Sequence, residues 1–176
     1  QNSNPGGAKF VFAQIGGSQS LSFSDVTFGG GGFPVEVDSG ATLNMETNIL
    51  QGDGSFNLKA GGTLFTAHAN GINGSITNTG SKTFDNASSF GFNGSVAQVT
   101  GSLLPAAVNN FILNNSQGVT LSNSVVVNGT LEMINGALSF GSHVLSYGNN
   151  ASLKYSGLSA QTTADAEFPA SGGPKN

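Results

Sequence analysis

The chain has 176 residues, which suits one ordinary domain or one elongated unit. Only 8% of the residues are charged, 27 are glycine, and the formal net charge of -4 includes five lysines and no arginine. This composition argues against a nucleic-acid-binding protein, which needs a basic surface, and the absence of cysteine excludes disulfides, thiolate nucleophiles and cysteine metal sites.

The first half of the chain contains a segment that returns later with few changes. The stretch ATLNMETNIL begins at Ala41, and GTLEMINGAL begins 88 residues later, at Gly129. Because no gap is needed to align them, we expect both halves of the chain to be built from the same repeating unit. The aligned pairs are Thr42 with Thr130, Leu43 with Leu131, Met45 with Met133, and Leu50 with Leu138.

A triplet with apolar ends followed by a glutamine is a second recurring feature. The triplet at 90–92 precedes Gln98, and the triplet at 153–155 precedes Gln161 at the same spacing. A weaker echo is the triplet at Phe10–Phe12, whose glutamine lies one residue further on. The three segments are therefore expected to occupy the same place in the repeat.

The second half of the chain is a series of short apolar triplets. Most of them alternate with period two and are rich in β-branched and aromatic residues, which predicts strands. No window of the chain shows a convincing helical period, so the sequence predicts an all-β protein. The triplets are 111–113, 119–121, 125–127, 131–133, 138–140, 144–146 and 153–155.

The triplet spacing decides between a hairpin sandwich and a solenoid. Asn-Gly pairs starting at 70, 73, 93, 128 and 135 favour hairpins when taken alone. However, Phe111 to Leu131 is 20 residues and Leu131 to Leu153 is 22, which indicates strands that return once per coil. Two other strand families return after 19 residues, from Val119 to Leu138 and from Val125 to Val144.

We therefore predict a three-faced parallel β-helix that spans residues 1–176 as one elongated unit. With coils of about 20 residues it would have about eight or nine coils and be about 40 Å long. Glu132 and Lys154, the middle residues of their triplets, should lie one above the other on the outer face. The residues expected to point inward are Leu131, Met133, Leu138, Phe140, Leu153 and Tyr155.

One long stretch resembles a known family of repeats. FNGSVAQVTGSLLPAAVNNFILNNSQGVTLSNSVVVNGTLEMINGALSFGSHVLSYG is similar to the repeats of long adhesin-like bacterial surface proteins that are exported by type IX secretion. The resemblance covers 90–176 well and 35–64 more loosely. It implies a right-handed parallel β-helix in an extracellular stalk, adhesin or filament at the cell surface, and it carries over no catalytic residue.

Two pairs of acidic residues are the candidates for a site. Glu36 with Asp38, and Asp165 with Glu167, are two residues apart, which on a strand puts both carboxylates on one face. Either pair could hold a weakly bound calcium ion, or could be part of a solvated outer face. Carbohydrate-cleaving enzymes also use clustered carboxylates, so a carbohydrate-binding or carbohydrate-cleaving β-helix is the alternative function.

The remaining candidates point to structure rather than chemistry. His68 and His143 have no neighbouring ligands in the sequence, whereas a zinc site needs three or four. The thirteen phenylalanines fit a stacked interior better than a sugar platform, since platforms more often use Trp and Tyr. We assign no catalytic, cofactor-binding or metal-binding residue and no cofactor.

The ends of the chain suggest which partners it binds. Alignment of Pro105 with Pro169 places the last residues just before the position where Phe111 begins a strand in the earlier copy. No amphipathic segment follows Leu153 to cover the last coil, so we expect neighbouring repeats or subunits to stack there end to end. The chain would then be a segment of a longer repeat protein or a filament subunit. Surface glycans are a further candidate partner, and no 18-residue apolar run predicts a membrane span.

Overall fold

The fold is described from a computed structural model of the chain. Within the residues that it describes, the chain forms nineteen short β-strands, one α-helix, α1 (Gly71–Ser75), and one 3-10 turn at Asp165–Glu167. The described residues are 8–13, 16–20, 26–28, 32–161, 163–169 and 171–175. The strands are β1 (Phe10–Phe12), β2 (Ser18–Ser20), β3 (Val26–Phe28), β4 (Val35–Val37), β5 (Thr42–Asn44), β6 (Leu50–Gly52), β7 (Phe56–Leu58), β8 (Thr63–Thr66), β9 (Lys82–Phe84), β10 (Ser89–Phe92), β11 (Gln98–Val99), β12 (Ala107–Val108), β13 (Phe111–Asn114), β14 (Val119–Thr120), β15 (Val125–Val127), β16 (Thr130–Asn135), β17 (Leu138–Ser139), β18 (Leu145–Tyr147) and β19 (Ser152–Tyr155).

The strands stack in parallel, coil upon coil. Every strand pair in the described chain is parallel. The longest sheet has seven strands in the order β19-β16-β13-β10-β8-β5-β2. In the second half, β13, β14 and β15 pair with β16, β17 and β18 of the next coil, each in a different sheet. The predicted three-faced parallel solenoid is confirmed, and the hairpin alternative is wrong.

Asn-Gly pairs turn the chain between faces instead of closing hairpins. Gly71 and Gly136 have φ angles of 58° and 83°, in the left-handed region that favours glycine. A Cβ atom on Gly136 would lie 1.8 Å from the carbonyl oxygen of Asn115 in the preceding coil. Glycine is therefore required at this corner both by its own φ angle and by the close approach of the coil beneath it.

The solenoid has about six turns of about 21 residues each. The prediction of eight or nine coils was too high, because several coils are longer than the triplets of the second half indicated. Ser18 pairs with Thr42 after 24 residues, and Leu64 pairs with Phe90 after 26 because α1 is inserted in that coil. At about 4.8 Å per turn, six turns are about 29 Å long rather than 40 Å.

The seven-stranded sheet points two columns of side chains into the core. The predicted inward residues are confirmed: Leu131, Met133 and Leu138 are buried, while Phe140, Leu153 and Tyr155 pack partly buried against the same cluster. Phenylalanine rings stack between coils, as expected. The first column is Leu43, Leu64, Phe90, Phe111, Leu131 and Leu153, and the second is Thr66, Phe92, Leu113, Met133 and Tyr155.

The predicted pair on the outer face is also confirmed. Glu132 is the register partner of Lys154, and Lys154 Nζ donates a 2.7 Å hydrogen bond to Glu132 Oε1. This hydrogen bond, with a second one from Ser156, lowers the pKa of the Glu132 carboxyl. Both side chains are accessible, so the pair reports the register more than it adds stability.

Two sequence alignments were wrong in detail. Val125 pairs with Leu145 instead of Val144, because Leu145 is the residue that enters the core, whereas Val144 is 61% exposed. The weak echo at Phe10–Phe12 lies in the sheet β1-β4-β7-β9, whereas the triplet at 90–92 lies in the seven-stranded sheet. These two triplets are therefore on different faces of the solenoid.

The C-terminal segment covers part of the last coil, contrary to our expectation. The backbone N–H of Tyr147 donates to Gly172 O at 2.9 Å, and that of Lys175 donates to Ala151 O at 2.8 Å. The segment thus continues the third face past β18, as the alignment of Pro105 with Pro169 predicted. The outer edge of β19, in contrast, pairs with no other described strand.

The inward columns give a first prediction. Leu131→Asp should lower the free energy of unfolding by at least about 3 kcal/mol, since it removes a fully buried side chain and puts an unpaired carboxylate into the stack. Urea denaturation followed by circular dichroism measures this change. Asn114→Asp, at an exposed position in the neighbouring strand β13, is the control and should change it by less than about 0.5 kcal/mol. Equal effects of the two substitutions would contradict the inward assignment.

Candidate functional site

The acidic pair Glu36 and Asp38 belongs to an ion-pair cluster on the outside of three adjacent coils. Lys9 Nζ lies 2.6 Å from Glu36 Oε1, and Lys59 Nζ lies 2.7 Å from both Glu36 Oε1 and Asp38 Oδ1. The parallel register produces this arrangement, since β1 and β7 flank β4 on either side. Both carboxylates are therefore bound by ammonium groups that compete directly with a calcium ion.

The cluster is a charge-neutral ladder rather than an acid-base pair. The hydrogen bond from Lys59, followed by that from Lys9, lowers the pKa of Glu36 from its ordinary 4.5 to about 2. In return, the hydrogen bonds to Asp38 and Glu36 raise the pKa of Lys59. A general base needs a lysine with a lowered pKa, so these shifts go in the direction opposite to base catalysis.

The second acidic pair, Asp165 and Glu167, is separated by the local structure. We expected a strand with both carboxylates on one face, but these residues form a 3-10 turn, in which Glu167 is buried and Asp165 is exposed. The backbone N–H of Ala164 donates to Glu167 Oε2 at 3.1 Å, and the Tyr155 hydroxyl donates to the same oxygen. The two carboxylates therefore do not form a shared site.

Two tyrosines of the last coils meet the buried Glu167. The Tyr147 hydroxyl donates to the backbone oxygen of Glu167 at 3.0 Å. Burial, and then the nearby Glu167 carboxylate, raises the pKa of Tyr147; burial and the hydrogen bond to Glu167 raise that of Tyr155. Both hydroxyls thus remain neutral donors at ordinary pH, and they anchor the C-terminal segment to the solenoid.

The two histidines lie apart from each other and from the acidic residues. His68 Nδ1 accepts a 3.1 Å hydrogen bond from the backbone N–H of Asn70, and its ring lies against Gly74, where a Cβ atom would be 1.8 Å from Nδ1. His143 is half-buried at a corner before β18. Within the described ranges no group of three or more His, Cys, Asp or Glu residues is placed to hold a metal ion.

The recurring glutamine is part of a buried hydrogen-bond network. Gln98 Oε1 accepts from the Gly94 N–H at 2.8 Å and from Asn115 Nδ2 of the next coil at 2.7 Å. Its Nε2 donates to Thr66 O and His68 O of the preceding coil at 3.1 and 3.0 Å. The side chain therefore links three consecutive coils, which gives the Gly-x-x-x-Gln motif a structural role.

Sequence reasoning missed a groove on the outside of the seven-stranded sheet. It has a volume of about 440 Å³ and is lined by Phe65, Asn44, Asn93, Thr42 and Ser18, together with three glycines. Phe65 is the outward residue of β8, between the buried Leu64 and Thr66. The signal for this site was Gly91: it interrupts a row of outward side chains at the position that pairs with Phe65.

Comparisons of the chain with protein-family models, with curated proteins and with solved structures find no match. No helix in the described residues is both long and apolar enough to cross a membrane.

The lysine ladder makes stability depend on pH in a defined direction. Because the pKa of Glu36 is lowered to about 2 in the folded chain, its contribution is complete above its ordinary pKa of 4.5 and is lost as the pH falls towards 2. The thermal midpoint of wild type should therefore fall more between pH 5 and pH 2 than that of Glu36→Gln, which cannot titrate at this position. Glu46→Gln removes an exposed carboxylate and should behave like wild type. Identical pH profiles for wild type and Glu36→Gln would contradict this account.

The glutamine network gives a third prediction. Gln98→Ala should destabilise the chain by about 3 kcal/mol or more, since it leaves several buried donors and acceptors unpaired. Chemical denaturation provides the measurement. Gln117→Ala is the matched control, because Gln117 is exposed two residues after Asn115 and should contribute less than about 0.5 kcal/mol. A loss of under about 1 kcal/mol for Gln98→Ala would contradict the network's structural role.

Proposed function

We propose that this chain is a structural module of an extracellular stalk, adhesin or filament at a bacterial cell surface, and that it extends by stacking against further coils at its ends. The observation that carries the proposal is the open edge of β19 in an otherwise continuous sheet. A strand edge with unpaired N–H and C=O groups is a template for another strand. The resemblance of 90–176 to surface-protein repeats supports the extracellular location.

The last coil also presents side chains that suit a further coil. Leu153 and Tyr155, the last members of the two inward columns, line a groove of about 440 Å³ with Phe168, Pro174 and Lys175. Phe168 is 49% exposed. In the preceding coils, each member of these columns is covered by the next one, so another coil would complete the stack at this end.

A buried polar atom supports the same proposal. Gln161, the counterpart of Gln98, has a buried Nε2 that no described residue accepts from. The Gln98 amide is satisfied in part by Asn115 of the coil that follows it. An additional coil that carried an equivalent asparagine would give Gln161 the same kind of partner.

A carbohydrate-cleaving activity is less well supported by the geometry. It would use Glu36 and Asp38, whose oxygens are bound to Lys9 and Lys59. The depolymerisation of polysaccharides by the purified chain, abolished by Glu36→Gln or Asp38→Asn without loss of folding, would overturn the proposal of a structural module.

Sedimentation velocity tests the stacking. The 176-residue chain should self-associate as its concentration rises, and Phe168→Asp should weaken that association by at least about tenfold, because it introduces a charge into the end surface. Val144→Asp makes the same change at an exposed position on the side of the solenoid and should leave association unchanged. A wild type that remains monomeric at high concentration, or equal effects of both substitutions, would contradict stacking at this end.

A further inference from the structure

The groove around Phe65 combines an aromatic ring with uncharged polar groups. Its polar lining residues are Asn44, Asn93, Thr42 and Ser18. They contribute amides and hydroxyls, which both donate and accept hydrogen bonds. A volume of about 440 Å³ lies within the range of sites that bind small molecules.

The ring of Phe65 is held against the sheet by the absence of a side chain at Gly91. A Cβ atom on Gly91 would lie 2.1 Å from both Cδ1 and Cε1 of Phe65. Any other residue at position 91 would therefore push the ring out of its place. The half-buried ring thus forms a fixed platform in the groove, although hydrophobic burial alone would favour an inward position.

The groove also contains a polar atom that is left without a partner. Asn93 Oδ1 is buried and accepts no hydrogen bond from the described residues. Its Nδ2 makes only a long, 3.4 Å contact with Asn44 Oδ1, which already accepts from the Glu46 N–H at 3.1 Å. Buried polar atoms are nearly always satisfied, so this oxygen is a candidate to accept a hydrogen bond from a ligand.

We propose that this groove binds a neutral oligosaccharide, with one pyranose ring against Phe65 and its hydroxyl groups bonded to Asn93, Asn44 and Thr42. A sugar ring has C–H groups that suit an aromatic face and hydroxyls that can donate to Asn93 Oδ1. A purely apolar ligand would leave that oxygen unsatisfied. An anionic sugar would find no cation, because the groove lining contains no charged residue.

This binding function is separate from end-to-end stacking. The groove lies on the outer face of β5 and β8, whereas the stacking surface lies at β19. A chain that stacks without binding sugars, or binds sugars without stacking, would therefore identify which of the two proposals is wrong.

Calorimetric titration with cellohexaose, chitohexaose and mannohexaose tests the proposal, with hexagalacturonate as the anionic comparison. At least one neutral hexasaccharide should bind with a Kd of about 1 mM or tighter, and hexagalacturonate at least about tenfold more weakly. Phe65→Ala should weaken binding by about tenfold or more, whereas Phe65→Trp should retain it. Ile112→Ala changes an outward residue of the same sheet beside Gly91 and should leave the affinity unchanged.

Two further variants keep the test informative if Phe65→Ala is unstable. Gly91→Ala retains Phe65 but displaces its ring, and Asn93→Ala removes the unpaired oxygen; each should weaken binding by about threefold or more while the chain remains folded by circular dichroism. The proposal is overturned if no neutral hexasaccharide binds wild type, if hexagalacturonate binds equally well, or if folded Gly91→Ala and Asn93→Ala variants bind like wild type.

Discussion

Stacking in register between parallel strands is the constraint on which the rest of this structure depends. Each coil places its inward side chains directly on those of the coil before it, at a strand spacing of about 4.8 Å. Leu131 contacts the columns above and below because Phe111 and Leu153 are its register partners. A single narrow core therefore runs through the described coils, and its columns reach β19 without a change of register except for the irregularity between Leu113 and Asn114.

The same register organises the outer surface. Side chains of one sign or type do not simply scatter: Glu36 lies between the coils that carry Lys9 and Lys59, and Glu132 lies beside Lys154. In a chain with so few charges, this arrangement neutralises most of the acidic residues on the strands. The uncharged remainder of the surface includes the groove at Phe65, where an aromatic ring faces outward. A solenoid of this kind can thus combine a repetitive interior with a local binding surface.

Much of the fold could be predicted because the repeat is visible in the residues that form the core. The intervals from Phe111 to Leu131 and Leu153 predicted the register of three strands, and from it the pair of Glu132 with Lys154. The number of coils was wrong because α1 lengthens one coil in a region without a clear triplet pattern. The 3-10 turn at Asp165–Glu167 was missed because contacts with Tyr147 and Tyr155, distant in sequence, determine it. The groove was missed because the outward ring of Phe65 depends on Gly91 in the next coil, and no local pattern reports such a pairing.

Engineered disulfides test the parallel register most directly, since the chain has no cysteine of its own. Glu132 and Lys154 are partners in adjacent coils, so the double variant Glu132→Cys, Lys154→Cys places two cysteines one strand spacing apart, within the range that a disulfide can bridge. Ile112 and Lys154 lie two strand spacings apart, about 9.6 Å, and a disulfide between them would require backbone movement. Mild oxidation followed by thiol titration should therefore leave no free thiol in the first variant and two in Ile112→Cys, Lys154→Cys. Oxidation of the second variant but not the first would contradict the parallel stack.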